Sequence, residues 1–265
     1  MKNKKLISLF VTSLLTLNLA GCSSTGNEGK SEQGGTTKAA ENTLYTNGGP
    51  EEFFEAPWLN PGTFVYNKVL YDRLIFADEN LDPISGEGQL AKSYEMSEDG
   101  LNLKFTLREN VFWHDGEPIT PQDIKWSIEY SLKTTVINNV FANTFKAIEG
   151  ATEYLDGKAD DISGITIDGN NIDIKFEKLA PDALLTFTQF APLPEKHLKD
   201  VDPVQFQQSE FFRNPIGSGP FKVEEVKMGN YTTLAGFDKY WDGAPTYKMH
   251  LNPSAGDSDP NLVTN

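Results

Sequence analysis

The alternation of apolar and polar positions is clearest in "LNLKFTL". There Leu101, Leu103, Phe105 and Leu107 fall on one side, and Asn102, Lys104 and Thr106 on the other. Successive side chains of a strand point to opposite faces, so a period of two predicts a half-buried strand. The period returns in "GITIDGNNIDIKFEK": Ile165 and Ile167 before Asp168-Gly169-Asn170-Asn171, then Ile172, Ile174 and Phe176 after it. Two alternating runs around Asp-Gly predict a hairpin. "TLYTN", Thr43–Asn47, reads as a first strand, and two more strands are expected around Met228-Gly229-Asn230. Helical spacing appears twice. Val65, Val69 and Leu70 predict a short helix within Phe64–Phe76, and Leu184, Leu185 and Thr188 predict another after Pro181. "GGPEEFFEAPWLNPG" carries too much Gly and Pro for either pattern and reads as an irregular crossing segment.

Between two of these elements lies "RENVFWHDGEPITPQDIKWS", Arg108–Ser127. Val111-Phe112-Trp113 extends the strand pattern, and His114-Asp115-Gly116-Glu117 breaks it with turn residues. Thr120 suits a helix N-cap, Pro121 the first helical position, and Asp123 the positive end of the helix. Ile124, Ile128 and Leu132 then share one face. The order is strand, turn, capped helix, which puts His114 at a corner.

At the N-terminus the pattern changes. Lys2, Lys4 and Lys5 precede the apolar run "LISLFVTSLLTLNL", too short and interrupted for a membrane span. It ends in Leu19-Ala20-Gly21-Cys22, which resembles a bacterial lipobox. Residues 1–21 are therefore expected to be a lipoprotein signal peptide, and Cys22, the only cysteine, the acylated residue. A single cysteine allows no disulfide within the chain. Residues 22–42, rich in Gly, Ser and Thr, read as a flexible tether reaching roughly 25 Å. Together these features predict a protein anchored at the outer face of the cytoplasmic membrane, or on the periplasmic side where there are two membranes.

Composition narrows the function. The 265 residues include 38% hydrophobic and 11% aromatic types, enough for a sizeable core. The formal net charge is −15, and removal of residues 1–21 leaves 20 basic and 38 acidic residues. Such a surface has no electrostatic attraction for nucleic acid, and its aromatics are not interleaved with Lys and Arg. The histidines, His114, His197 and His250, are far from any G-x-S-x-G elbow, and Gly217–Pro220 is neither that elbow nor a phosphate loop. There is no H-x-x-x-H and no Cys pair. Asp257, Asp259 and Asn261 match the first half of a calcium loop, but Leu262 stands where the turn needs glycine. Glu51-Glu52 and Asp160-Asp161 read as solvated faces in so acidic a chain. The expectation is a binding protein, with no enzyme activity, metal or cofactor.

Two blocks carry a resemblance. Leu90–Tyr130 contains Ala91-x-Ser93, Ser97-x-Asp99-Gly100, Phe105-x-Leu107-Arg108, Val111-x-Trp113-His114-Asp115-Gly116, Pro118-x-Thr120, Asp123 and Ser127. Asn214–Met249 contains Pro215-x-Gly217-Ser218-Gly219-Pro220-Phe221, Gly229, Leu234 and Tyr240-Trp241-x-Gly243-x-Pro245. Both resemble the extracellular solute-binding proteins of family 5, the peptide-binding components of ABC importers. The resemblance implies an α/β fold of the type II periplasmic-binding-protein kind, two-lobed, with a ligand trapped between lobes that close about a hinge. Oligopeptides are the expected ligands, and dipeptides, nickel, haem and oligosaccharides are the alternatives. Membrane permease subunits are the expected partners, and the protein itself is expected to be a monomer. By the same resemblance Gly49, Pro50, Glu51 and Glu52 face the cleft, and Phe141 and Asn143 approach the ligand. His114-Asp115 becomes a scaffold turn. Family members continue well past the Tyr-Trp-x-Gly-x-Pro segment. Residues 43–265 are therefore expected to be mainly a first lobe, with a mixed sheet, an inserted α/β subdomain at about 58–163 and no second lobe. Such a truncated gene or fragment, or non-functional remnant, is expected to bind peptide more weakly than micromolar.

Overall fold

In the computed structural model the described residues are 42–59, 65–80, 82–84 and 89–253. They fall in one compact unit, Ala39–Asn265. Cys22, the signal peptide, nearly all of the tether and the half calcium loop lie outside them. In chain order the elements begin with strand β1 (Thr43–Gly49), helix α1 (Val65–Leu70) and the short strands β2 (Phe76–Ala77) and β3 (Pro83–Ile84). Strands β4 (Ala91–Met96) and β5 (Asn102–Leu107) lead to helices α2 (Pro121–Ser131), α3 (Asn139–Phe145) and α4 (Ala151–Leu155). The hairpin β6 (Ile165–Asp168) and β7 (Asn171–Lys175) precedes α5 (Ala183–Phe187), α6 (Glu195–Leu198) and two 3₁₀ turns, Pro203–Gln208 and Glu210–Arg213. Strands β8 (Phe221–Lys227), β9 (Tyr231–Gly236) and β10 (Lys248–Pro253) follow.

The strands form two four-stranded sheets, ordered β1-β10-β9-β8 and β4-β5-β7-β6, and the small pair β2-β3. In the first sheet β1 lies parallel to β10, pairing Leu44 with Met249 and Thr46 with Leu251. The remaining neighbours in both large sheets are antiparallel. The alternation in β5 does what it predicted: Leu103, Phe105 and Leu107 are 2% exposed or less. The β6–β7 hairpin closes through Gly169 and Asn170, with Asp168 opposite Asn171 and Gly169 at φ +58°. That positive φ is why a glycine stands there.

Helix α2 starts as its sequence dictates. The Thr120 hydroxyl accepts from the Asp123 amide at 3.3 Å, and Asp123 returns a carboxylate oxygen to the Thr120 amide at 2.9 Å. This capping box satisfies donors the helix itself leaves open. Ile124 and Ile128 are fully buried and Leu132 is buried. Inside, Trp58 lies between Phe190 and Phe206, with centroids 5.7 and 4.9 Å away and rings within 11° of parallel. Its indole nitrogen donates to the Ala191 carbonyl at 2.8 Å.

Two expectations change. Val111–Trp113 does not continue as a strand. A single bridge joins Phe112 to Pro118, and a proline with no N–H cannot extend a ladder. Helix α5 buries Ala183, Thr186 and Phe187, while Leu185 faces solvent. Phe187 packs on Phe105 and Phe145 at 5.0 and 5.8 Å, and the Thr186 hydroxyl shares a hydrogen bond with Thr144, which sets the rotation. A strand not singled out in the sequence, β10, lies between β1 and β9.

The two large sheets meet at a strap, Gly217–Gly219, just before β8. The amides of Ser218 and Gly219 both donate to the Leu70 carbonyl at the end of α1, at 2.9 and 2.8 Å. Any side chain at Gly217 would collide with that carbonyl, and one at Gly219 with the carbonyl of Val69. On the other side, the turn that follows β5 closes on the strap: the His114 amide donates to the Gly217 carbonyl at 2.9 Å.

Urea unfolding tests this packing. Trp58→Ala should cost about 3–5 kcal/mol and Thr120→Ala about 1 kcal/mol. Leu179→Ala, at a side chain 66% exposed, should stay within about 0.5 kcal/mol.

Candidate functional site

Near its C-terminal end β1 bulges at Gly48, φ +100°, and Gly49 is its last residue paired with β10, opposite Pro253. Gly49 passes close to β10: a Cβ there would sit 3.0 Å from the Leu251 carbonyl oxygen. The chain then crosses as Pro50-Glu51-Glu52-Phe53 and borders a hollow of about 420 Å³. The hollow is lined by Gly49, Pro50, Glu51, Glu52 and Phe53, with Glu55, Leu59, Tyr66 and Gln207 completing it.

Its back wall is held by hydrogen bonds between distant parts of the chain. Gln207, on the first 3₁₀ turn, accepts from the Ala56 amide at 2.8 Å and donates to the Phe54 carbonyl at 3.0 Å. The Phe54 amide donates to the Phe212 carbonyl at 2.8 Å, and the Glu55 amide to the Tyr66 hydroxyl at 3.1 Å. Burial pushes the Tyr66 hydroxyl pKa well above its ordinary value, so the hydroxyl stays protonated. Glu51 and Glu52 are exposed, whereas Phe54 and Ala56 are fully buried. A rigid apolar back and a wet acidic rim suit a ligand with an apolar body and hydrogen-bonding or cationic groups.

Four of the sequence-derived positions, Gly49, Pro50, Glu51 and Glu52, therefore line one hollow. Phe141 lies elsewhere, 1% exposed and packed on Phe190 at 5.5 Å. Asn143 borders a separate hollow of about 380 Å³ with Lys146, Lys178 and Leu179. Phe53, Glu55, Leu59, Tyr66 and Gln207 were not singled out in the sequence. Gln207 is 151 residues from the amide it holds, and no local pattern marks such a pair.

His114 and Asp115 do not act on each other as a dyad. The His114 ring turns inward, taking the Gly217 amide on Nδ1 at 3.1 Å and meeting the Gly219 carbonyl from Nε2 at 3.0 Å. Asp115 turns outward and pairs with His197 at 2.7 Å. Among the described residues no group of three His, Cys, Asp or Glu side chains could hold a metal, and no helix is long and apolar enough to cross a membrane.

The profile of the bacterial extracellular solute-binding proteins, family 5 (middle region), matches residues 86–254. The chain belongs to that family. It is a family of substrate-binding transport proteins, not of enzymes. The dipeptide-binding protein DppE of Bacillus subtilis is 29% identical over 253 residues, covering 90% of this chain and 44% of that protein. Lactococcal OppA complexed with an endogenous peptide in the closed conformation superposes with a TM-score of 0.63 at 23% identity, over 80% of this chain and 42% of that one. AppA from Bacillus subtilis, in complex with a nonapeptide, gives 0.61 at 22% identity, over 80% and 39%. The family-5 chain described here thus shares the mixed α/β fold of periplasmic solute-binding proteins. It spans between 30% and 44% of the length of the curated relatives it matches.

Replacing Gln207 by Ala strips partners from the Ala56 amide and the Phe54 carbonyl. Equilibrium unfolding should show a loss of about 1–3 kcal/mol, with amide exchange rising first at residues 54–56.

Proposed function

We propose that this chain is the ligand-capturing part of an ABC importer, that it takes oligopeptides outside the cytoplasm, and that it passes them to membrane permease subunits. The observation that carries the proposal is the hollow beyond β1, lined by Gly49–Phe53 in a chain of the solute-binding family. An extended backbone offers amides and carbonyls that the Pro50–Glu52 segment can meet, while Leu59, Phe53 and Tyr66 receive a side chain. Loose side-chain demands follow from holding a peptide by its main chain. The relatives point the same way, since DppE is described as dipeptide-binding and OppA of Bacillus subtilis as oligopeptide-binding. The hollow is one-sided, so it buries only part of a ligand, and its affinity is weaker than micromolar.

The organisation proposed with this function is a signal peptide over residues 1–21, a lipid-bearing Cys22, a tether to residue 42, and a monomeric first lobe over 43–265 with its inserted subdomain at about 58–163. The tether leaves the binding unit free to move near the membrane.

Two measurements test this. Titrating a mixed oligopeptide pool into the ¹⁵N-labelled chain should shift the amides of Gly49, Glu51, Glu52, Phe53 and Tyr66. Leu59→Trp, which fills the hollow, should weaken those shifts at least tenfold. No response to peptides, or a response confined to other faces, contradicts the reading. Separately, cells fed labelled palmitate should label the wild-type protein and not Cys22→Ala, which should leave the membrane fraction.

A further inference from the structure

The strap at Gly217–Gly219 is closed from two sides by ionisable groups, one buried and one partly buried. On one side stands Asp72, 4% exposed. Its amide receives the Ser218 hydroxyl oxygen as acceptor at 2.9 Å. Its carboxyl accepts from the Tyr240 hydroxyl at 3.3 Å and from the Trp241 indole nitrogen at 3.2 Å. On the other side stands His114, edge-on to Phe237 at 5.0 Å. Its hydrogen bonds permit one protonation state. The Gly217 amide donates into Nδ1, so Nδ1 carries no hydrogen, and Nε2 donates to the Gly219 carbonyl. Protonating Nδ1 would set two N–H donors against each other at 3.1 Å.

We propose that the strap is a latch shut only while His114 is neutral. Acid that charges the imidazole sets its Nδ1–H against the Gly217 amide and so loosens the seam between the sheets.

Burial acts on both groups. Burial raises the Asp72 carboxyl from 3.8 to about 7, against the opposing pull of the Trp241 and Tyr240 bonds and of the Arg73 and Arg108 charges. Burial lowers His114 from 6.5 to about 4; the Gly219 bond opposes this, Lys222 adds to it, and Asp115 opposes it. Lys239 stands over Phe112 near the same turn, and Arg108 stacks on Trp241 at 3.8 Å. The signs are opposite. A histidine whose folded pKa is depressed contributes stability that is complete above 6.5 and is lost as pH falls toward 4. An aspartate whose folded pKa is raised imposes a cost that is absent below 3.8 and grows as pH rises toward 7.

The test is urea unfolding of the chain and of His114→Asn from pH 4 to 7. The variant is compared with the parent at every pH, which cancels the carboxylates common to both. Relative to the parent, the folding constant of His114→Asn should fall about tenfold per unit up to pH 6.5. Parallel profiles, or a slope of the opposite sign, overturn the proposal. If the variant fails to fold, ¹⁵N spectra of the parent at pH 5 decide: a neutral, Nε2-protonated His114 supports the latch, and an imidazolium in the folded protein overturns it.

Discussion

The backbone contact between the end of α1 and the strap is the constraint on which the rest of the structure depends. The Leu70 carbonyl accepts two amides from Ser218 and Gly219, and only glycine fits at 217 and 219. α1 packs on β1 and β8 of one sheet, while the turn holding His114 descends from β5 of the other. One short segment therefore sets how the two sheets lie. The neighbouring residues reinforce it. The amides of Leu90 and Ala91 donate to the carbonyls of Arg73 and Leu74, both at 2.9 Å, and Arg108 donates to the Gln89 carbonyl at 2.8 Å. Buried groups of this kind are costly to leave unpaired, so the junction holds as a unit or opens as one.

That junction also positions the hollow. β1 is carried by β10, and Tyr66 sits on α1, the helix the strap ties down. Gln207 fixes the opposite wall from a distant 3₁₀ turn. An irregular segment such as Pro50–Glu52 needs such backing, because it has no ladder of its own. The two regions differ physically: the seam is packed and hydrogen-bonded, while Glu51 and Glu52 at the rim are exposed and carry no packing constraint.

Much of the scaffold was legible in the chain because it rests on local rules. The period of two in β5 and in the β6–β7 hairpin, and the cap at Thr120, each depend on residues within a few positions of one another. The misreadings came where distant contacts decide. Of Leu184, Leu185 and Thr188, expected on one face of α5, Thr188 is buried and Leu184 packs on the core, but Phe187 against Phe105 and Thr186 against Thr144 rotate the helix enough to leave Leu185 exposed. β10 is short and half polar, and it exists as a strand because β1, some two hundred residues earlier, lies beside it. At the site, Gly49–Glu52 came from resemblance, while Gln207 and Tyr66 needed the fold. The Trp-His-Asp-Gly corner shows both limits. Its turn was readable, but not that His114 and Asp115 would part, one to the strap and the other to His197.

Native-state hydrogen exchange at the amides of His114, Gly217, Ser218 and Gly219 tests the central claim most directly. If the strap unites the sheets, these four amides exchange only when the whole unit unfolds, with the same free energy and denaturant dependence as the amides of β5. Exchange through a low-energy local opening, while both sheets remain protected, would mean that the sheets are held together by something else.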